Sequence, residues 1–164
     1  MEKRQLIHAI NALMPKTYGF AYAMSGDDLQ AEQLVLDAYT VLLMDNEDYF
    51  GDEEFDLSQR NSRQNFNRFL LKELCAEVYH LAMKRAHMYR KNIHHVPSEY
   101  IAFHRLDVRN RALLYLKEVL NFSVVELQET LAMSRAQVIE VFYNASHEII
   151  NDKSSSLSEE NSWS

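Results

Sequence analysis

The chain is 164 residues long, 47% hydrophobic and 25% charged, with a formal net charge of −7. That is enough apolar material to build a core in one domain or two small ones, and three glycines and two prolines favour long helices with few tight turns. No stretch approaches the roughly 18 apolar residues of a membrane span, Met1-Glu2-Lys3-Arg4 leads into no secretory apolar region, and the single Cys75 forms no internal disulfide, which fits a reducing cytoplasm.

Leu6, Ile7, Ile10, Leu13, Met14, Phe20, Ala21 and Met24 recur at helical spacing and predict a helix over about residues 3–24. Pro15 either kinks it or starts its second half. Ser25-Gly26-Asp27 breaks it, and Asp27 or Asp28 caps a second helix with Leu34, Val35, Ala38, Tyr39, Val41 and Leu42 on its apolar face. From Asp45 to Asp56 the chain holds seven acids and no base. Such a run reads first as a solvated loop or helix end, and second as a docking strip for a basic partner.

A third helix is expected over about residues 64–89, with Phe66, Phe69, Leu70, Leu74, Val78, Leu81 and Ala82 inward. The stretch from Arg90 to Pro97 reads as a linker, because Pro97 disfavours a helical Val96. A second helical group begins near Ser98. Within it, Ser123-Val124-Val125-Glu126 and Ser134-Arg135-Ala136-Gln137 are two capping boxes, each pairing a serine with a Glu or Gln three residues on. Their spacing leaves room for one short helix and a tight turn through Leu131-Ala132-Met133, the dimension of a helix-turn-helix. On the helix that follows, Val138, Val141, Phe142 and Ala145 form the expected inward face. The tail from Lys153 to Ser164, rich in Ser and Glu, lacks periodicity and predicts disorder. The expected fold class is therefore all-α: two small helical domains over residues 1–90 and 103–150, a linker at 91–102 and a disordered tail at 151–164.

Charge is unevenly spread along this plan. Residues 1–58 carry −9, residues 59–102 carry +5, residues 103–150 carry −1 and the tail −2. A basic middle between acidic ends can touch a phosphate backbone only locally. His80, His87 and His94 are seven residues apart, and seven helical residues rise about 10 Å, too far for two imidazoles to share one metal. Cys75 reads as a small buried apolar residue. There is no phosphate-cradling glycine loop, nucleophile elbow or zinc-protease string, so neither an enzyme nor a cofactor is expected, nor a small-molecule substrate or a membrane partner.

Residues 15–43, PKTYGFAYAMSGDDLQAEQLVLDAYTVLL, resemble the second conserved region of extracytoplasmic-function sigma factors, with Ala31-Glu32-Gln33-Leu34-Val35-Leu36-Asp37 in the place of that family's Ala-Glu-Asp-Leu-Val-Gln-Glu segment. Residues 103–150 resemble the fourth region in spacing and apolar pattern. The family string Ser-x-Gly-Thr-Val-Lys-Ser-Arg-Leu-x-Arg-Ala-Arg falls on the thirteen residues from Ser134 to Ser146. The resemblance implies a sigma-70-family regulator of transcription initiation. Its clamp contact with the β′ subunit of RNA polymerase core would be made by Glu32, Gln33, Leu36 and Asp37. Promoter DNA would be approached by Lys84, Arg85, Arg90 and Lys91 and by Arg135 and Gln137.

The departures from the family pattern matter as much. Where the family carries basic residues on its last helix, this chain has Ile139, Val141, Asn144 and Ser146. Isoleucine and valine neither neutralise a phosphate nor form the forked hydrogen bonds that read a guanine. An outward Ile139 with Tyr143 beside it suggests a protein contact instead. The same combination resembles the sigma-like domain of phyllosphere-type general stress regulators, which captures an anti-sigma factor. These 164 residues leave no room for the receiver domain that accompanies it there.

Overall fold

The computed structural model describes residues 3–45, 60–89 and 96–160, with side chains described for 6–44, 60–89 and 96–151. Every regular element among the described residues is helical: α1 (Lys3–Ser25), α2 (Asp28–Asp45), α3 (Arg60–Tyr89), a 3₁₀ turn (Ser98–Tyr100), α4 (Ile101–Arg105), α5 (Val108–Glu118), α6 (Val124–Leu131) and α7 (Arg135–Glu160). None of the described helices is long and apolar enough to cross a membrane.

Local chemistry sets the boundaries. Gly26 takes φ +70° after α1, a conformation a side chain disfavours, and its amide donates to the Tyr22 carbonyl at 2.8 Å. Asp27 then caps α2, its Oδ1 accepting from the Gln30 amide at 3.0 Å. Asp107 caps α5 in the same way, through the Asn110 amide at 2.8 Å.

The first three helices pack on one another around Phe20, Met24, Leu34, Phe66, Leu70, Leu74 and Val78, all fully buried. Burying each of the larger side chains contributes about 1.5–3 kcal/mol. That cluster does not stop at residue 90: it continues without interruption into Leu113, Leu116, Phe122, Leu127 and Val138. Gly19 makes the join close. A Cβ there would fall 2.4 Å from the Tyr115 hydroxyl, so the bare face of Gly19 receives the tip of that side chain from α5, and the Phe20 and Tyr115 rings lie 5.8 Å apart. The two parts distinguished in the sequence thus share one buried cluster.

Three expectations change. Within the expected linker at 91–102, Val96 is buried, the 3₁₀ turn occupies 98–100 and α4 starts at Ile101; residues 90–95 lie outside the described ones. The last helix does not end near Ile150 but runs to Glu160, since no glycine or proline interrupts residues 135–160. Ile7 and Met14, placed on the apolar face of α1, are exposed, while Leu71 joins the core from α3; Cys75 is buried, as expected. Of the acidic run from Asp45 to Asp56, Asp45 closes α2 and residues 46–59 lie outside the described ones.

Candidate functional site

Both capping boxes form. Ser123 Oγ accepts from the Glu126 amide at 3.3 Å while the Ser123 amide donates to Glu126 Oε2 at 2.8 Å. Ser134 and Gln137 repeat the exchange at 3.2 and 2.8 Å. Between them Ala132 adopts the left-handed conformation, φ 51° and ψ 46°, and the Met133 amide returns to the Gln128 carbonyl at 3.1 Å. These bonds close α6 sharply and launch α7 at a fixed angle, which makes the pair a helix-turn-helix.

The motif is bolted to α3 by charge. Arg68 forms a bidentate pair with Glu126, Nε to Oε1 at 2.6 Å and one terminal nitrogen to Oε2 at 2.8 Å. The same guanidinium donates to the Leu120 and Asn121 carbonyls at 3.1 and 3.0 Å and lies 4.3 Å above the Phe122 ring. Arg68 and the Ser123 amide hold the Glu126 carboxyl down at about 2, against a smaller opposing effect of burial. One turn further along each helix, Lys72 pairs with Glu129. These cross-links join residues 57 and 58 positions apart, and no periodic pattern announces them.

On α7, Val138 and Ala145 are buried and Val141 and Phe142 half-buried, so the inward face is as expected. Outward stand Ile139, 57% exposed, and Tyr143, 69% exposed. The Tyr143 ring stacks on His147, centroids 6.2 Å apart. Arg135 and Gln137, expected at DNA, are both exposed at the start of the helix. The amide oxygen of Gln137 accepts from the Ser134 amide in the cap, which fixes where the side chain's NH₂ group can reach.

The two sets of residues expected on the first part meet each other. Glu32, Gln33 and Leu36 are exposed on one face of α2. Asp37 is half-buried: its Oδ1 accepts from Gln33 Nε2 at 2.7 Å and its Oδ2 from Arg85 at 2.5 Å. Arg85, expected at DNA, therefore spends its charge on Asp37, expected at the polymerase. Lys84 is exposed on α3, and Arg90 and Lys91 lie outside the described residues.

Two features escaped sequence reasoning. A cavity of about 260 Å³ opens between α3, α5 and the turn, lined by Tyr79, Arg109, Met133, Gln137, Glu140 and Asn144. Arg111 is only 5% exposed, on the otherwise apolar side of α5. Burial pushes its guanidinium down to about 10 and holds the neighbouring His104 down at about 4, so His104 Nδ1 accepts from Arg111 at 3.0 Å. A lone arginine ahead of Ala112, Leu113 and Leu114 is the one sequence signal that could have found it. His80 and His87 are exposed on α3, and no cluster of three or more metal-ligating side chains exists among the described residues.

Neither a protein-family model nor a curated protein matches the chain.

Proposed function

We propose that the chain is a sigma-like regulator of bacterial transcription, built of two helical parts, that acts through protein contacts and keeps its helix-turn-helix as a scaffold rather than a promoter reader. One observation carries this reading: the outward face of α7, where a DNA-reading helix presents its donors, presents Ile139 and Tyr143. From Ser134 to Ile150 the only cation is Arg135, opposed by Glu140 and Glu148. Each phosphate neutralised contributes to affinity by releasing counterions, and one arginine against two carboxylates supplies little of that. The faces between the two parts are filled by their own packing, which directs a partner such as an anti-sigma factor to the exterior.

A second reading is favoured by α2. Glu32, Gln33 and a Leu36 that is 58% exposed form one solvent-facing surface, the position at which the sigma resemblance puts the contact with the β′ clamp of RNA polymerase core. That contact is compatible with weak DNA chemistry in α7.

Duplex-DNA binding measured against salt tests the proposal. The native chain is expected to bind weakly and without sequence preference. The double substitution Ile139→Lys with Asn144→Arg is expected to gain nonspecific affinity and to steepen the salt slope by about 0.9 per added cation. Sequence-specific promoter binding by the native chain, alone or with purified polymerase core, overturns the proposal. Co-elution with core without promoter recognition selects the second reading.

A further inference from the structure

We propose that the outward face of α7 is a self-association surface on which a second copy of this chain packs its own α7 in parallel. This rests on the protein-contact reading of that face and names its partner.

Ala136, Ile139, Tyr143, Ser146 and Ile150 follow one another at intervals of three, four, three and four residues along α7. That is the 3.5-residue period of a two-helix seam. It is a second stripe, distinct from the inward one of Val138, Phe142, Ala145 and Ile149 that packs on the body of the protein. The second stripe is open to solvent where it is largest: Ile139, Tyr143 and Ile150 are all more than half exposed, Tyr143 with the His147 ring against it. Small Ala136 precedes Ile139 and small Ser146 stands between Tyr143 and Ile150, which leaves room for a partner's side chains.

Charge selects the occupant. Arg135 immediately precedes the first seam residue and Glu140 immediately follows Ile139, so the two flank opposite edges of the stripe, five residues apart. In a parallel pair of identical helices the residue on one edge faces the residue five positions on along the opposite edge of its partner, so Arg135 of each copy meets Glu140 of the other, twice over. In an antiparallel pair like edges meet, and the Glu140 and Arg135 edges each face themselves. Neither residue forms an ion pair within the chain among the described residues, so both charges are free for this contact. DNA on the same face would meet the carboxylate of Glu140 at its edge. Residues 136–150 make a seam only about 21 Å long, which implies a weak, concentration-dependent dimer.

Sedimentation of the full chain from about 1 to 300 µM tests this. The native protein is expected to move from monomer toward dimer across that range. Ile139→Arg, at an exposed position that leaves the helical circular dichroism unchanged, is expected to weaken association at least about tenfold. Arg135→Glu alone and Glu140→Arg alone are each expected to weaken it, and the two together to restore it. Ile150→Cys is expected to give a disulfide-linked dimer on mild oxidation, since position 150 meets itself only in the parallel pair; Cys75 is buried and stays out of the reaction. A monomer throughout the range, a dimer indifferent to Ile139→Arg, or no cross-link at position 150 overturns the proposal. None of these results bears on the salt-dependence experiment, which tests the protein-contact reading separately.

Discussion

The two helices of the helix-turn-helix use their polar chemistry in opposite directions. On α6, both carboxylates turn toward α3: Glu126 grips Arg68 and Glu129 pairs with Lys72. On α7, the surface turned to solvent is apolar at its centre, and its charges at Arg135 and Glu140 form no ion pair among the described residues. The first helix is thereby an anchor, spending charge on orientation. The second is held in place by that anchor and by its own buried stripe, so its outer face is free to differ without cost to the fold. The scarcity of basic residues there is a matter of surface, not of architecture.

The anchor should therefore fail first. Arg68→Ala removes a bidentate ion pair, two bonds to turn carbonyls and a cation above Phe122. It is expected to destabilise the chain by about 3 kcal/mol in urea denaturation, whereas Ile139→Ser on the free face should stay within about 0.5 kcal/mol. Equal losses would mean that α7 is packed on its outer side as well.

The next largest effect is one of pH. The Glu126 carboxyl titrates at about 2 in the folded chain, below its ordinary value near 4.5. A depressed acid contributes stability that is present above the ordinary value and is lost as pH falls through the folded one. Between pH 4.5 and 2 the native chain should lose about 2 kcal/mol that Glu126→Gln, already lacking the pair, does not lose. His104, held down at about 4 by burial and by Arg111, acts in a higher window. Its neutral form is the folded one, so stability falls as pH drops from 6.5 toward 4. Comparing native and Glu126→Gln urea midpoints at pH 5 and at pH 2.5 separates the two.

What could be read from the sequence was what is local. A serine and a Glu three residues apart specify a cap without reference to anything distant, and both boxes formed. The inward face of α7 followed from period, since Val138 and Ala145 are a helical repeat apart, while the outward place of Ile139 came from the resemblance to the sigma fourth region. Periodicity says which face is buried but not what lies against it. It could not show that Arg85 would neutralise Asp37 across 48 residues, that Arg68 would reach Glu126, or that Gly19 would let Tyr115 approach α1. Arg111 went unremarked for the same reason: a single cation beside an apolar run says nothing of the neighbouring helices that close over it. The candidate face at Ile139 and Tyr143 was legible because exposure of an apolar residue on an otherwise satisfied helix is itself a local contradiction.

The smallest effect probes the joint between anchor and free face. Ala132 turns the chain from α6 to α7 at φ 51°, where a Cβ crowds the backbone and glycine does not. It is exposed, so removing its methyl group opens no cavity. Ala132→Gly should relieve the left-handed strain by more than the added freedom of the unfolded chain costs, a net gain of about 1 kcal/mol. Asn121 sits at φ 53° at the other end of α6, but asparagine tolerates that region, so Asn121→Gly should change stability less. Because the turn bonds from Met133 to Gln128 and the Ser134 box remain, the substitution should raise the urea midpoint without altering self-association through α7. A gain in stability accompanied by a change in association would show that the angle set at Ala132, and not the residues of the outer face alone, governs what α7 can meet.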